Sequence, residues 1–268
     1  MPDSFFTVET GGAGEEWFVP TDFARGPWDP DACHGGPPTA LLARALERTL
    51  PALRLARLTV ELMRPVPMAG FAIQAEVVKA GRATGTTRAT IVDADGGQRA
   101  LATGMHVARS PVGLFPETLD NSGASTPRLA DAEPGAFPIG RVRHHLPAFN
   151  RSVEMRYPPG QDPGMGSATV WMRTITPLPD EEPSPFQRIC PLADCGNAFS
   201  RHADPTQVQF INTDLTIALH RDPVGEWLGS RVSSHWQPSG VGLADALLFD
   251  DEGAAGRALQ TLLIRPVG

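Results

Sequence analysis

The strongest constraint in this sequence is an internal duplication. Three short stretches of the first half recur in the second half in the same order. The matched pairs are residues 58–64 with 215–221, 91–96 with 248–253, and 99–103 with 257–261. Prolines follow the first stretch in both copies. A set of repeats in a fixed order indicates two copies of one supersecondary unit.

Each copy has the pattern of one helix followed by a run of antiparallel strands. Leu58, Val60 and Leu62 alternate with polar residues and predict a strand. Helices are predicted over residues 38–50 and 186–199, and a long strand over residues 207–219. A single copy would leave a strand edge open and one sheet face poorly covered. We therefore expect the two copies to pair edge to edge in one continuous sheet.

The composition excludes several classes of partner. The 268 residues carry a formal net charge of -7 at pH 7, which disfavours nucleic acid and anionic membrane surfaces. No apolar stretch approaches the length of a membrane span, and the N-terminus has no signal-peptide pattern. The three cysteines fit neither a zinc site nor a disulfide framework. We expect reduced thiols, a cytoplasmic location, and no metal or cofactor.

A turn at His34, Gly35 and Gly36 leads into the first predicted helix. Pro37 and Pro38 follow it and suit a first helical turn, where backbone N–H groups have no helical partner. Those N–H groups point at whatever lies in front of the helix, so they can stabilise a developing negative oxygen. The alternative is that the turn is purely structural and that His34 only holds the loop.

The order of these elements resembles the TesB-like acyl-CoA thioesterases. The resemblance covers about residues 15–109 and 152–266. It implies an α+β fold, a double hotdog, in which two tandem hotdog units each wrap an antiparallel sheet around a helix and join into one continuous sheet. We expect residues 1–110 to form the first unit, residues 111–150 a linker over the surface, and residues 151–268 the second unit.

The resemblance also implies the chemistry and the residues of the site. Family members hydrolyse acyl-CoA without a protein nucleophile, using an acid, an amide and a hydroxyl residue to position one water. By position, the acid is Asp194 and the amide is Gln260. The third position falls on Asn212, where the family usually has Thr or Ser, so Thr216, expected on the same face of the same predicted strand, is an alternative.

Physical chemistry supports these roles but leaves alternatives open. A thioester is already electrophilic, so a well-placed water and a general base suffice for hydrolysis. The oxyanion donors are either the Gly35–Gly36 turn or the start of the second helix near Gly196. Matching the copies letter by letter sets Gln260 opposite Ala102 and Asn212 opposite Leu55, which makes the second copy the polar one.

Several candidate residues also have ordinary structural interpretations. Asp194 is also a residue type found at helix caps, and Gln260 one found at exposed strand positions. His144 and His145 lie in the linker, where we expect them to be surface residues and not metal ligands. His220 precedes a turn and is expected to cap a strand end.

Two rival functions remain on sequence grounds. Asp29 and His34 have the five-residue spacing of hotdog enoyl-CoA hydratases, although the pattern around them differs. A hotdog protein that binds acyl-CoA without hydrolysing it is the second rival. A serine hydrolase is disfavoured, because the Gly-x-Ser-x-Gly motif does not occur. Acyl-CoA is the expected partner, a homo-oligomer is expected by analogy, and the acyl chain length cannot be read from the sequence.

Overall fold

The computed structural model describes residues 4–12, 14–111, 113, 125–139, 144–161 and 164–267. The first half contributes β1 (Phe6–Thr10), β2 (Glu16–Pro20), α1 (Gly36–Thr49), β3 (Arg54–Leu62), β4 (Phe71–Ala80), β5 (Thr84–Val92) and β6 (Gln98–Val107). The second half contributes β7 (Glu133–Gly135), β8 (Val153–Tyr157), β9 (Ala168–Thr174), α2 (Pro185–Asp194), α3 (Gly196–Phe199), β10 (Val208–Asn212), β11 (Asp214–Leu219), β12 (Leu228–Trp236), β13 (Val241–Asp250) and β14 (Gly253–Pro266).

All the strands belong to one sheet, and its order repeats from the middle outwards. The order is β1-β2-β4-β5-β6-β3-β11-β14-β13-β12-β9-β8-β7, with β10 pairing the far end of β14. Outwards from the β3–β11 junction, the first half continues through β6, β5 and β4. The second half continues through the equivalent strands β14, β13 and β12. The continuous sheet expected from the duplication is present, with antiparallel pairing throughout these neighbours.

The junction of the two halves pairs equivalent residues with each other. Thr59 and Thr216 occupy the same position of the repeated stretch and lie opposite one another across β3 and β11. Their hydroxyl groups share a hydrogen bond of 3.1 Å. On either side, Leu58 pairs with Ile217 and Val60 with Leu215. The two halves are thus related by an approximate two-fold axis through the Thr59–Thr216 pair.

The helices fill the inner side of the curved sheet. Gly35 precedes α1, and Pro37 and Pro38 form its first turn, as the sequence predicts. Leu42 and Leu46 of α1 share one apolar core with Ile189 and Leu192 of α2. The burial of this common core joins the two halves into a single hydrophobic interior.

The second predicted helix is interrupted. Residues 186–199 form two helices because Cys195, with φ -82° and ψ 0°, leaves the helical conformation between α2 and α3. Pro191 inside α2 also lacks the N–H that would bond one turn back. The break places Asp194 at the end of α2 and Asn197 at the start of α3.

The long strand predicted over residues 207–219 is also interrupted. Asn212 ends β10 opposite Leu262, which is 1% exposed, whereas Thr216 in β11 lies opposite Leu259, which is 41% exposed. Because side chains alternate faces along a strand, Leu262 and Leu259 point to opposite sides of the sheet. Asn212 therefore faces the helices and Thr216 faces the outside, so the expectation that they share a face is wrong.

The expected surface linker is in part built into the body. Residues 112, 114–124 and 140–143 of the predicted 111–150 segment lie outside the described residues. The described part includes β7, which extends the sheet, and a short 3-10 turn over Phe149–Arg151. The Phe149 N–H donates to the Arg25 carbonyl of the first half at 3.0 Å. This end of the segment packs against both halves.

A substitution at Gly256 tests the packing of β14 against β11, next to the β3–β11 junction. A Cβ at Gly256 would overlap the backbone oxygen of Ala218 in β11. We expect Gly256→Ala to lower the free energy of unfolding by about 1–3 kcal/mol, measured by denaturant titration. Gly12→Ala is the matched control, because a Cβ there meets nothing within 4 Å. Equal stability of the two variants would contradict this packing.

Candidate active site

Asp194 is the centre of the site that the structure brings together. Its side chain is 3% exposed and lies at the end of α2. His34 and Gly35 reach it from the first half, and Asn212 and Gln260 reach it from the second. Five of the residues singled out in the sequence thus converge on one point, which lies between the two halves.

Both oxygens of the Asp194 carboxylate are held by nitrogen donors. His34 Nδ1 lies 2.9 Å from Oδ2, and Asn212 Nδ2 donates to Oδ1 at 2.8 Å. An ionised carboxylate only accepts, so the His34 proton sits on Nδ1 and points at Asp194. Each oxygen keeps further lone-pair capacity for another donor, such as a water. Both oxygens of this buried carboxyl group are therefore hydrogen-bonded.

His34 is fixed from two further directions. Its backbone N–H donates to the Ala24 carbonyl at 2.7 Å. Its ring stacks on Phe149, with ring centroids 4.1 Å apart and an interplanar angle of 15°. The imidazole therefore has one defined orientation relative to Asp194.

The two glycines allow the start of α1 to approach the end of α2. A Cβ on Gly35 would lie 3.0 Å from both Asp194 carboxylate oxygens, and a Cβ on Gly36 would lie 2.7 Å from the Pro191 Cα. Within the described part of the chain, the Gly35 N–H has no hydrogen-bond partner. The Gly36 N–H lies 3.3 Å from His34 Nδ1, which cannot accept while it donates to Asp194. Gly35 lines the cavity in front of Asp194, so its N–H is open to a ligand, whereas Gly36 is buried behind it.

Gln260 braces the break between α2 and α3. Its Nε2 donates to the Asp194 carbonyl at 2.8 Å, and its Oε1 accepts from the Asn197 N–H at 2.9 Å. The side chain is 1% exposed and lies outside the lining of the cavity in front of Asp194. Because the Asn197 N–H already donates to Gln260, it is not open to an oxyanion, which disfavours the start of α3 as the oxyanion site. Gln260 is buried, so the alternative of an exposed strand residue is wrong.

The strand register corrects the letter-by-letter match of the two copies. Ala102 pairs with Val60, and its counterpart by register is Ala258, which pairs with Ile217. Continuing the register two residues further, the first-half counterpart of Gln260 is Gly104. The first copy also has buried polar residues in its sheet: His106 and Thr87 share a hydrogen bond of 2.8 Å.

Thr216 does not belong to this site. It lies on the outer face of the sheet and bonds to Thr59. The interruption of the strand at Thr213 shifts the alternation by one residue, which the hydrophobic pattern of residues 207–219 did not reveal. Asn212 is the residue that contacts Asp194.

A cavity of about 640 Å³ opens in front of Asp194. One part of its wall is apolar and aromatic, another is basic. The apolar part includes Trp28, Leu62, Phe137, Ile139, Phe149 and Phe210, and the basic part Arg25, Arg64, His144, His145, Arg151 and Arg265.

Several lining residues have no signal in the sequence patterns. His144 and His145 are expected at the surface, and His145 is exposed, but both also line the cavity. His144 is half-buried, and its Nε2 bonds to the Gly26 carbonyl at 2.9 Å. Phe137 and Phe149 come from the segment between the two repeats, where periodicity is absent. The clustering of aromatic residues in an otherwise polar, Pro- and Gly-rich segment is the only signal that could have indicated a packed role.

The cysteines do not provide a thiolate at this site. Cys33 lines the cavity, but burial raises the pKa of its thiol and the nearby Arg25 lowers it only in part. Burial likewise raises the pKa of Cys190 and Cys195. All three stay protonated at neutral pH, which disfavours nucleophilic attack by a cysteine. Among the described residues, no group of three or more His, Cys, Asp or Glu side chains is placed to hold a metal.

Solved structures share this fold. The chain superposes on a proposed thioesterase II from Thermobifida fusca with a TM-score of 0.72 at 17% identity, covering 97% of this chain and 96% of that one. A protein with a hotdog fold from Alicyclobacillus acidocaldarius gives 0.69 at 17% identity, with 97% and 96% covered. The acyl-CoA thioesterase II TesB2 from Mycobacterium marinum gives 0.61 at 19% identity, with 97% and 95% covered. The chain therefore has the hotdog fold.

A comparison with curated proteins finds no match. Within the part of the chain that the structure describes, no helix is long and apolar enough to cross a membrane.

Two family models match the chain. The model of the acyl-CoA thioesterase N-terminal domain matches residues 24–107, and that of the C-terminal domain matches residues 124–264. With most of its length matched by these two models, the chain belongs to the acyl-CoA thioesterase family.

Proposed function

We propose that this thioesterase hydrolyses acyl-CoA to a free acid and CoA with a water that Asp194 deprotonates. The observation that carries the proposal is the buried Asp194 carboxylate at the cavity, held by His34 and Asn212 at 2.9 and 2.8 Å. In this proposal, Asp194 is the catalytic base. His34 and Asn212 orient its two oxygens, so that the remaining lone pairs point at the water.

The proposed reaction needs two proton transfers and no covalent enzyme intermediate. The water oxygen attacks the thioester carbon while one water proton moves to Asp194, and the carbonyl oxygen becomes an oxyanion. Collapse of the tetrahedral intermediate breaks the carbon–sulfur bond. The proton on Asp194 then passes to the departing CoA sulfur, which restores the carboxylate. Holding the water and the thioester in one geometry lowers the barrier of the first step.

The N–H groups of Gly35 and Gly36 are the proposed oxyanion donors. They lie at the positive end of α1, and Gly35 lines the cavity beside Asp194 with Gly36 directly behind it. Donors of this kind lower the barrier most when they are preorganised and shielded from water. Pro37 and Pro38 hold the turn in place without competing N–H groups.

The cavity wall fits the two chemical parts of an acyl-CoA. The aromatic and aliphatic side chains offer a surface for the acyl chain, and the arginines at the basic side match phosphate groups. The same chain that supplies the base therefore also supplies complementary surfaces for both ends of the substrate.

The proposal also assigns roles to the two halves. We retain residues 1–110 and 151–268 as two tandem hotdog units, with residues 111–150 between them. The first unit provides the oxyanion donors and His34, and the second provides Asp194 and Asn212. Gln260 acts as a positioning residue, because its amide holds the helix break and not the water.

Hydration of an enoyl-CoA is less well supported. Asp29 and His34 have the hydratase spacing, but the Asp29 carboxylate accepts from the Asp31 N–H at 2.9 Å in a local turn. His34 instead pairs with Asp194. A role in binding acyl-CoA without turnover is disfavoured because Asp194, His34 and Asn212 converge at the cavity wall, where binding alone needs no carboxylate.

We further propose a homo-oligomer in the cytoplasm. Val241, Leu243, Leu259 and Leu263 form an exposed apolar row on the outer face of β13 and β14. Such a face is typical of an interface between copies. The three cysteines are unpaired, as expected for a reducing compartment.

Removal of the proposed base is the first test. Asp194→Asn keeps the shape of the side chain but replaces one acceptor oxygen by an amide donor, which His34 Nδ1 accepts in its other tautomer, and the amide cannot take up a proton. We expect kcat for acyl-CoA hydrolysis to fall by about 10²- to 10⁴-fold, with the melting temperature little changed. The measurement is CoA thiol release across acyl chains from short to long. Near-native turnover would exclude Asp194 as the base.

Asp29→Asn is the matched control and separates the two reactions. It neutralises the other carboxylate that lines the cavity and preserves the acceptor of the local turn. We expect thiol release within about twofold of the wild type. We expect neither the wild type nor Asp29→Asn to hydrate an enoyl-CoA. Hydration is measured as the loss of absorbance of the conjugated double bond. Hydration that Asp29→Asn abolishes would instead establish the hydratase.

The positioning role of Gln260 makes a separate prediction. Gln260→Leu preserves volume but leaves the Asp194 carbonyl and the Asn197 N–H unpaired in a buried position. Each unpaired group costs about 1–3 kcal/mol, so the free energy of unfolding should fall by several kcal/mol. We expect kcat to fall as well, because Asp194 loses its anchor. Reduced activity at unchanged stability would indicate a direct role at the water and contradict the bracing role.

A further inference from the structure

A second large cavity lies at the opposite ends of α1 and α2. Its volume is about 810 Å³, compared with about 640 Å³ for the candidate active site. The wall is formed by the last turns of α1, the residues leading into β3, the β4–β5 turn and the start of α2. No residue lines both cavities, so the two are separate binding volumes. We refer to this second volume as the arginine cavity.

The arginine cavity occupies the position that the approximate two-fold axis relates to the active site. At the active site, the start of α1 contacts a carboxylate at the end of α2. At the arginine cavity, the start of α2 contacts a carboxylate near the end of α1: Ser184 Oγ and Gln187 Nε2 both donate to Glu47 at 2.8 Å. The duplication has thus produced two reciprocal clefts.

The arginine cavity lacks the groups that the proposed hydrolysis requires. Leu55 lines it at the position that the repeat aligns with Asn212. Gly104 stands in the register position of Gln260, and α1 runs to Thr49 without the break that follows Asp194 in the second half. This cleft can therefore hold a ligand but has no equivalent of the water-positioning set.

Three arginines, Arg54, Arg82 and Arg109, line one part of this cavity, and two of them share a single carboxylate. Arg54 Nε and Arg109 Nη2 donate to the two oxygens of Asp222 at 2.7 and 2.6 Å. Arg82 has no ion pair or hydrogen bond within the described residues. The strand pairs β3–β6 and β5–β6 bring these three positions to the same end of the sheet. An excess of positive charge results, in a chain whose net charge is -7.

One donor in this cluster lacks an acceptor. Arg54 Nη2 is buried and has no hydrogen-bond partner, although Nη1 of the same side chain donates to the Leu219 carbonyl at 2.9 Å. An unpaired buried donor is costly, and more so when it belongs to a charged group. An anionic oxygen beside Arg54 would remove that cost.

The remaining wall and the volume narrow the class of ligand. Leu50, Pro51 and Leu53 provide an apolar surface opposite the arginines. A volume near 800 Å³ suits a nucleotide-sized molecule better than a free inorganic ion. Arginine forks match the planar oxygen pairs of phosphate groups.

We propose that the arginine cavity binds a phosphate-bearing ligand of nucleotide size, either the nucleotide portion of CoA or a free nucleotide, without hydrolysing a thioester. The proposal goes beyond the catalytic function and rests on different residues. Its failure would leave the assignment of Asp194 untouched, because thiol release is measured at the other cavity.

Binding stoichiometry tests the proposal on the full chain. Isothermal titration with CoA, with 3′,5′-ADP and with pyrophosphate distinguishes the possible sources of the phosphate. If the site takes CoA, the wild type should bind two CoA molecules per chain. If it takes a free nucleotide, the wild type should bind ADP at a site that CoA does not displace.

Charge reversal locates the second site. Arg82→Glu changes an exposed turn residue and should weaken binding at the arginine cavity at least tenfold, leaving the other site unchanged. Arg257→Glu is the charge-matched control outside both cavities and should bind as the wild type does. Unaltered melting temperatures verify folding. One CoA site per chain with no separate ADP site, binding of pyrophosphate alone, or a second site that survives Arg82→Glu would overturn the proposal.

Discussion

The structure depends on the pairing of β3 with β11, in which each half offers the same strand edge to the other. Thr59 faces its own repeat equivalent, Thr216, and the flanking Leu–Ile and Val–Leu pairs satisfy both edges with one register. A self-complementary contact of this kind fixes an approximate two-fold axis, as in a symmetric dimer. It also removes the open edge that each copy would otherwise expose. The continuous sheet then places α1 and α2 side by side in one core.

Because the helices meet across this axis, each cleft is built from both halves. The start of one helix is brought against the end of the other, and this happens twice. At one end, His34 and Gly35 meet Asp194, and at the other, Ser184 and Gln187 meet Glu47. Burial raises the pKa of Glu47, whereas the donors Gln187 and Ser184 oppose that shift. Neither half alone contains a complete cleft, so a truncation at the repeat boundary would remove both.

The sequence was sufficient for the features that depend on pattern and order. The duplication predicts the joined sheet, and the Gly–Gly–Pro–Pro turn predicts where α1 begins. It was insufficient where one residue changes the geometry. The interruption at Thr213 places the side chains after it on the opposite face from the one expected, and this removes Thr216 from the site. The strand pairing also differs by two residues from the sequence match, so the counterpart of Gln260 is Gly104 and not Ala102. The stacking of Phe149 on His34 joins segments far apart in sequence, and no local pattern encodes such a contact.

The difference between the two clefts follows from backbone hydrogen bonding. In the second half, the break at Cys195 leaves the Asp194 carbonyl and the Asn197 N–H without helical partners, and both are buried. Gln260 has one donor and one acceptor at the right spacing to satisfy both. In the first half, α1 continues to Thr49, no such groups arise, and glycine suffices at the equivalent strand position. The break also directs the Asp194 side chain towards His34 and Asn212. The polar residues of one cleft are thus the consequence of an interrupted helix, and the arginine-rich character of the other is compatible with an uninterrupted one.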